Sequence, residues 1–229
     1  MPHTRRLGIL LPSSGTVQEV DFYRRVPAGV SVHSARMRLT RATEDDEARM
    51  LDAHTMPAAE DLATIRPDVV VFSCTSAGAL RGRAYDASLC ADIGRVTGAP
   101  VVSTLTAVGE ALRAAGARSV ALVTPYPEAI TQLVRASLEA EGFRVTAAAG
   151  LGLADSLDIA AVEPADIQRF AVETFQRAPA DAVCIACCTF RAYDAREEIQ
   201  RALGVPVVTS NQAALTAALR HLRLAPAAV

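Results

Sequence analysis

Short apolar runs rich in Val, Ile and Leu recur at 7–11, 69–73, 100–103, 119–123, 182–186 and 206–209. Between them lie longer stretches with apolar residues every three or four positions: 44–51, 106–115, 128–141, 164–177 and 211–222. Runs this brief fit buried strands, and the three-to-four spacing fits helices with one apolar face. The alternation predicts βαβ units and parallel sheets. Gly116 and Gly142 stand where helices end, and Pro127 stands in a first helical turn.

The pattern occurs twice. Arg5-Arg-Leu-Gly-Ile-Leu-Leu-Pro12 matches Arg118-Ser-Val-Ala-Leu-Val-Thr-Pro125 at an offset of 113, the same offset that carries Asp68 onto Asp181. Gly98-Ala-Pro-Val-Val-Ser-Thr104 matches Gly204-Val-Pro-Val-Val-Thr-Ser210 at 106, so the order persists while one connection has shortened. The reading is an α/β chain of two pseudo-twofold-related halves, each a small parallel sheet flanked by helices, with the active site in the cleft between them. The first half is expected to comprise 1–105 plus a returning segment 205–229, and the second 106–204.

Ligands of open parallel sheets sit outside the carboxyl ends of the strands. Those ends read Ser13-Ser14-Gly15-Thr16, Cys74-Thr75-Ser76, Thr124-Pro125-Tyr126 and Cys188-Thr189-Phe190. They offer hydroxyls, thiols and backbone N–H groups, with no carboxylate and no histidine, which suits an anion. The wall that would select a substrate is expected from loops such as 77–84 and 149–158.

Composition narrows the chemistry. All 23 basic residues are arginine. Without lysine, Schiff-base chemistry, pyridoxal phosphate and the Walker A loop are excluded. Gly150-Leu-Gly152 is only a fragment of a dinucleotide motif, so no nucleotide or organic cofactor is expected. A formal charge of -2, with both signs scattered, gives no footprint for nucleic acid. No apolar run approaches the ~18 residues of a membrane span. No signal-peptide core precedes the first strand, so a cytoplasmic protein is expected, with a homo-oligomer possible.

Five cysteines, an odd number, do not form a disulfide framework. Cys90, in a helical pattern at 84–96, and Cys184, in mid-strand, read as small buried hydrophobes. Cys184-Ile-Ala-Cys187 lies inside a strand, where a redox pair does not work, and the four histidines show no metal spacing relative to the cysteines. Cys74 and Cys188 differ: each follows a strand and precedes a threonine in its own copy. The register is open by one residue, since the strict offset pairs Cys74 with Cys187 and the Cys-Thr dipeptide pairs it with Cys188. Side chains alternate along a strand, so one of the two is expected in the cleft. The dipeptide selects Cys188. Two thiols facing one ligand from opposite halves can move a proton across a carbon centre, or one can add to a polarised double bond while the other serves the neighbouring carbon. The resulting enediolate needs hydrogen-bond donors around its oxygens.

At these residues the chain resembles the aspartate/glutamate racemase superfamily, in the branch of maleate cis–trans isomerases and arylmalonate decarboxylases. The likeness rests on Leu7-Gly-Ile-Leu-Leu-Pro-Ser-Ser-Gly-Thr16, His33-Ser-Ala-Arg-Met-Arg-Leu39, Cys74-Thr-Ser76, Val123-Thr-Pro-Tyr126 and Cys188-Thr189. The resemblance implies a cofactor-free, metal-free site with Cys74 and Cys188 catalytic. It also implies a small carboxylate held by Ser14, Gly15, Thr75, Ser76, Tyr126, Thr189 and Phe190. Within the branch the signals divide. Maleate isomerases resemble P-S-S-N-T in the first loop and carry an asparagine near Ser156, whereas Gly15 resembles the decarboxylases. Those decarboxylases, however, have glycine in place of Cys74. Arg36 and Arg38 are exposed strand arginines or a second carboxylate site. The expectation is an isomerase or racemase most like maleate isomerase, with a decarboxylase using Cys188, or an amino-acid racemase, as alternatives.

Overall fold

The computed structural model describes residues 4–225. Strands β1 (Arg5–Pro12), β2 (Val30–Met37), β3 (Val69–Phe72) and β4 (Val101–Ser103) form one parallel sheet in the order β2-β1-β3-β4. Strands β5 (Ser119–Thr124), β6 (Arg144–Gly150), β7 (Ala182–Ile185) and β8 (Val207–Thr209) form the second in the order β6-β5-β7-β8. Every residue of β3, β5 and β7 is buried, as expected of parallel strands covered on both faces.

The repeat extends to register and hydrogen bonding. Leu7 lies opposite Val69 in one sheet, and Val120 lies opposite Ala182 in the other. Asp68 accepts the Arg6 N–H at 2.7 Å, and Asp181 accepts the Ser119 N–H at 2.8 Å, so each carboxylate fixes the start of its central strand pair. The edge strands β2 and β6 were absent from the apolar runs because their small, polar and half-exposed residues form no hydrophobic block.

Helices fill the crossovers. Between β2 and β3, α2 (Glu44–Arg49) continues through a π-helical turn, Met50–His54, into α3 (Thr55–Ala63). Helix α1 (Gln18–Arg25) joins β1 to β2, while α4 (Thr75–Leu80) and α5 (Gly82–Thr97) join β3 to β4. Residues 77–80 are therefore helix rather than loop. In the second half, α7 (Glu128–Ala140), α8 (Ser156–Ala161), α9 (Pro164–Arg177) and α10 (Ala192–Leu203) serve the corresponding connections. Gly98 and Gly204 end α5 and α10 at the same left-handed φ of +68°, a conformation that glycine adopts without steric cost.

The helices after the fourth strands are exchanged between halves. Helix α6 (Thr104–Ala114) follows β4 yet packs against β7 and β8, while α11 (Ser210–His221) follows β8 yet packs against β3 and β4. The two helices also pack on each other. Ser103 accepts the Thr106 N–H and Thr209 accepts the Gln212 N–H, each at 3.3 Å, so both begin with the same cap. The division at 205 needs correction: Val207–Thr209 pairs with β7, so the fourth strand stays with its own copy and only the helix crosses. Among the described residues no helix is long and apolar enough to cross a membrane.

Candidate active site

The carboxyl ends of the two sheets meet at a small, partly open cavity lined on one side by Cys74, Thr75 and Ser76, and on the other by Tyr126, Cys187, Cys188 and Thr189. Leu39, Ala42 and Ile159 form an apolar wall. About 20 Å³ is open to the centre of a water-sized sphere, room for one or two waters. The N–H of the lining residue Ala42 donates to the Ala154 carbonyl at 2.8 Å, and the main chains of Arg41 and Asp155 pair in an antiparallel bridge. Loops from opposite halves thus meet beside the cavity.

Cys74 occupies the N-cap position of α4, with extended backbone. The Ser76 hydroxyl lies 3.7 Å from its sulfur. Cys188 approaches the same helix end from the other half, with its sulfur 3.7 Å from Thr75 Oγ1. The exchanged helices hold this junction. Ser210, opening α11, places its hydroxyl 2.9 Å from Thr75 Oγ1, and Thr104, opening α6, donates its hydroxyl to the Phe72 carbonyl at 2.9 Å. Asn211 donates from one side-chain amide to the Cys188 carbonyl at 3.0 Å and to Asp21 at 2.7 Å.

The electrostatics follow from burial. Desolvation first, then the charges of Glu47 and Cys188, push the Cys74 thiol well above its ordinary value. Burial lifts Cys188 to about 11, with the Thr75 hydroxyl resisting, and lifts Cys187 to about 12. The thiols are therefore protonated at neutral pH. Burial likewise raises Tyr126. No arginine lines the cavity, so an anion would be met by hydroxyls and backbone amides.

Several expectations change. Both Cys187 and Cys188 line the cavity, because β7 ends at Ile185 and strand alternation no longer governs the turn beyond it. The Cys187 sulfur accepts the Thr189 N–H at 3.3 Å. Phe190 is fully buried in the core and does not line the cavity. Ser14 and Gly15 stand just behind the lining. Ser14 donates to Ser156 Oγ at 2.8 Å, and a side-chain carbon on Gly15 would lie 3.4 Å from Thr189 Oγ1. Arg36 turns away from the cavity, donating to the Ser13 and Gly15 carbonyls at 3.0 Å each, and Arg38 lines a separate surface groove. Gly150 ends β6 against the Tyr126 carbonyl and opens no phosphate loop.

The expected absence of a carboxylate is overturned by Glu47. This residue of α2 is completely buried, lines the cavity and accepts a hydrogen bond from Ser76 through Oε1. Its other oxygen, Oε2, is buried without a partner. Glu47 escaped the reading of strand ends because it arrives from a helix laid over them. Its sequence signal was an acidic residue on the apolar side of the 44–51 helical pattern.

The family model for arylmalonate decarboxylase matches residues 9–229. Maleate isomerase of Nocardia farcinica is 31% identical over 235 residues, covering 98% of this chain and 92% of its own. A crystal structure of an arylmalonate decarboxylase double variant in the liganded form, one glycine changed to cysteine and one cysteine to serine, superposes with TM-score 0.89 and 30% identity, covering 95% of this chain and 92% of that one. The Nocardia farcinica maleate cis–trans isomerase with one cysteine changed to serine carries a covalently bound succinylcysteine intermediate. It superposes with TM-score 0.86 and 28% identity, covering 96% of this chain and 93% of that one.

Proposed function

Since the chain belongs to the arylmalonate decarboxylase family, we propose that it is a cofactor-independent cis–trans isomerase of a small unsaturated dicarboxylic acid of the maleate type. The observation that carries this reading is the meeting of Cys74 and Cys188, from opposite halves, on one small cavity. A decarboxylation that ends by protonating one face of an enediolate needs one thiol. Two thiols suit addition on one alkene carbon and acid–base work on the other.

In this mechanism the Cys74 thiolate forms a C–S bond to one alkene carbon, and the π electrons move into the adjacent carboxylate as an enediolate. Cys188 then gives its proton to the second carbon, leaving a succinyl group on Cys74 and a freely rotating single bond. After rotation Cys188 recovers the proton, the electrons re-form the alkene as the C–S bond breaks, and fumarate leaves. The raised Cys188 thiol keeps the proton that this role requires at neutral pH. Thr75, Tyr126, Thr189 and the amides opening α4 supply donors for the carboxylate and enediolate oxygens.

A second reading, an arylmalonate-type decarboxylase in which Cys188 protonates the enediolate, is favoured by the apolar wall of Leu39, Ala42 and Ile159. Proton NMR in deuterated water separates the two. Conversion of maleate to fumarate supports the isomerase. Release of carbon dioxide from an α-methyl-α-arylmalonate, with maleate untouched, would replace it by the decarboxylase.

A further inference from the structure

Resting on the nucleophilic role assigned to Cys74, a mechanistic requirement remains: its protonated sulfur must deliver its proton somewhere before it can attack. The structure holds one continuous path. The Cys74 sulfur lies 3.7 Å from Ser76 Oγ, and the Ser76 hydroxyl donates to Glu47 Oε1. Glu47 is completely buried, no salt bridge joins it to a cation among the described residues, and its Oε2 has no partner. An unpaired buried carboxylate is costly to maintain and has a strong drive to take up a proton.

We propose that Glu47 is the proton acceptor that activates Cys74, acting through the hydroxyl of Ser76. The Cys74 S–H proton passes to Ser76 Oγ as the Ser76 hydroxyl proton passes to Glu47. This leaves a Cys74 thiolate, an intact Ser76 hydroxyl and a neutral Glu47 carboxylic acid, with no change in total charge. When the thiolate leaves the product, the protons return along the same path. Ser76 thereby becomes a relay, its hydroxyl proton committed to Glu47 and its lone pairs to Cys74, while its role toward the substrate falls to its backbone amide.

The electrostatic surroundings agree. Burial raises the Glu47 carboxyl to about 7, opposed by the Ser76 hydrogen bond and assisted by Glu44 of the same helix. The ionisable groups facing it from other elements are Cys74, at the start of α4, and Tyr126, after β5; both are disfavoured as anions by its charge. Above pH 7 Glu47 and Cys74 therefore hold one proton between them.

Alkylation of the resting protein by iodoacetamide, without substrate, tests the relay. The rate is read at the Cys74 peptide by mass spectrometry between about pH 5.5 and 9.5. With the relay, wild-type labelling of Cys74 rises through pH 7, as Glu47 loses its proton, and then levels off, because above that point the fraction with thiolate and neutral Glu47 is constant. In Glu47→Gln the inflection disappears, and the rate climbs about tenfold per pH unit up to about 9.5, overtaking wild type above about pH 7 because no carboxylate charge opposes the thiolate. A wild-type rate that climbs without a plateau, no labelling of Cys74, or a plateau surviving in Glu47→Gln would each overturn the proposal. Since the wild-type profile is decisive alone, a poorly folded variant leaves the test intact. Since no substrate is present, failure here is distinct from failure of the maleate assay.

Discussion

The corners at Cys74 and Cys188 occupy corresponding places in the repeat, and each has a buried acid nearby whose carboxyl burial raises, yet the two acids have different partners. Asp21, behind Cys188, is paired with Arg25 at 3.0 Å and hydrogen-bonded by Asn211, which also holds the Cys188 carbonyl. Arg25 reaches on to Asp194 at 2.7 Å and lies over the Tyr193 ring, tying the halves together. Glu47, above Cys74, has a hydroxyl on one oxygen and nothing on the other. The contrast separates two uses of a buried carboxylate. One with a guanidinium and an amide fixes main chain, and one without a counter-ion retains proton affinity that a neighbouring thiol can use. In the proposed mechanism the Cys188 corner holds a proton donor in place, and the Cys74 corner takes a proton away.

Breaking the thiols themselves should have the largest effect. Cys74→Ser and Cys188→Ser should each lower kcat for maleate isomerisation by about 10²–10⁴-fold, whereas Cys187→Ser, which leaves both reacting sulfurs, should cost far less in a steady-state assay. Next comes the scaffold behind Cys188. Asn211→Leu removes a hydrogen bond from both Asp21 and the Cys188 carbonyl, and should destabilise the fold by about 1–3 kcal/mol in urea unfolding, with an unchanged slope.

A third test sharpens the contrast through pH. The folded-state carboxyl of Glu47 lies at about 7 against an ordinary 4.5, so the native protein holds a proton there that the unfolded chain has lost. That contribution to stability is fully present below 4.5 and is lost as pH rises through 7. Glu47→Gln should therefore be more stable than wild type at pH 8 by about 1–3 kcal/mol. The advantage should shrink in thermal melts as pH falls from 7 toward 4.5. The smallest effect is expected at Gly15, where an added carbon would sit 3.2 Å from the Pro12 carbonyl and 3.4 Å from Thr189 Oγ1. Gly15→Ala should cost about 1 kcal/mol of stability in urea unfolding.

The duplication was readable from sequence because it preserved what parallel strands require: buried apolar runs, an aspartate before each second central strand and a glycine after each long helix. The edge strands β2 and β6 were not readable, since half-exposed small residues leave no hydrophobic block. Cys74, Thr75, Tyr126 and Cys188 could be found because they end strands, and the fold brings strand ends together. Phe190 follows the same turn but points into the core, which a dipeptide match does not reveal. Cys187 was set aside by a rule of alternation that stops where the strand stops. Glu47 was invisible as a site residue, because its importance arises from the angle at which α2 crosses the strand ends.

The two-cysteine account is tested most directly by mass spectrometry of the Cys188→Ser protein after incubation with maleate. With the proton donor removed and the nucleophile kept, a succinyl group should be found on the peptide containing Cys74. An unmodified Cys74, or a succinyl group on Cys187 instead, would contradict it.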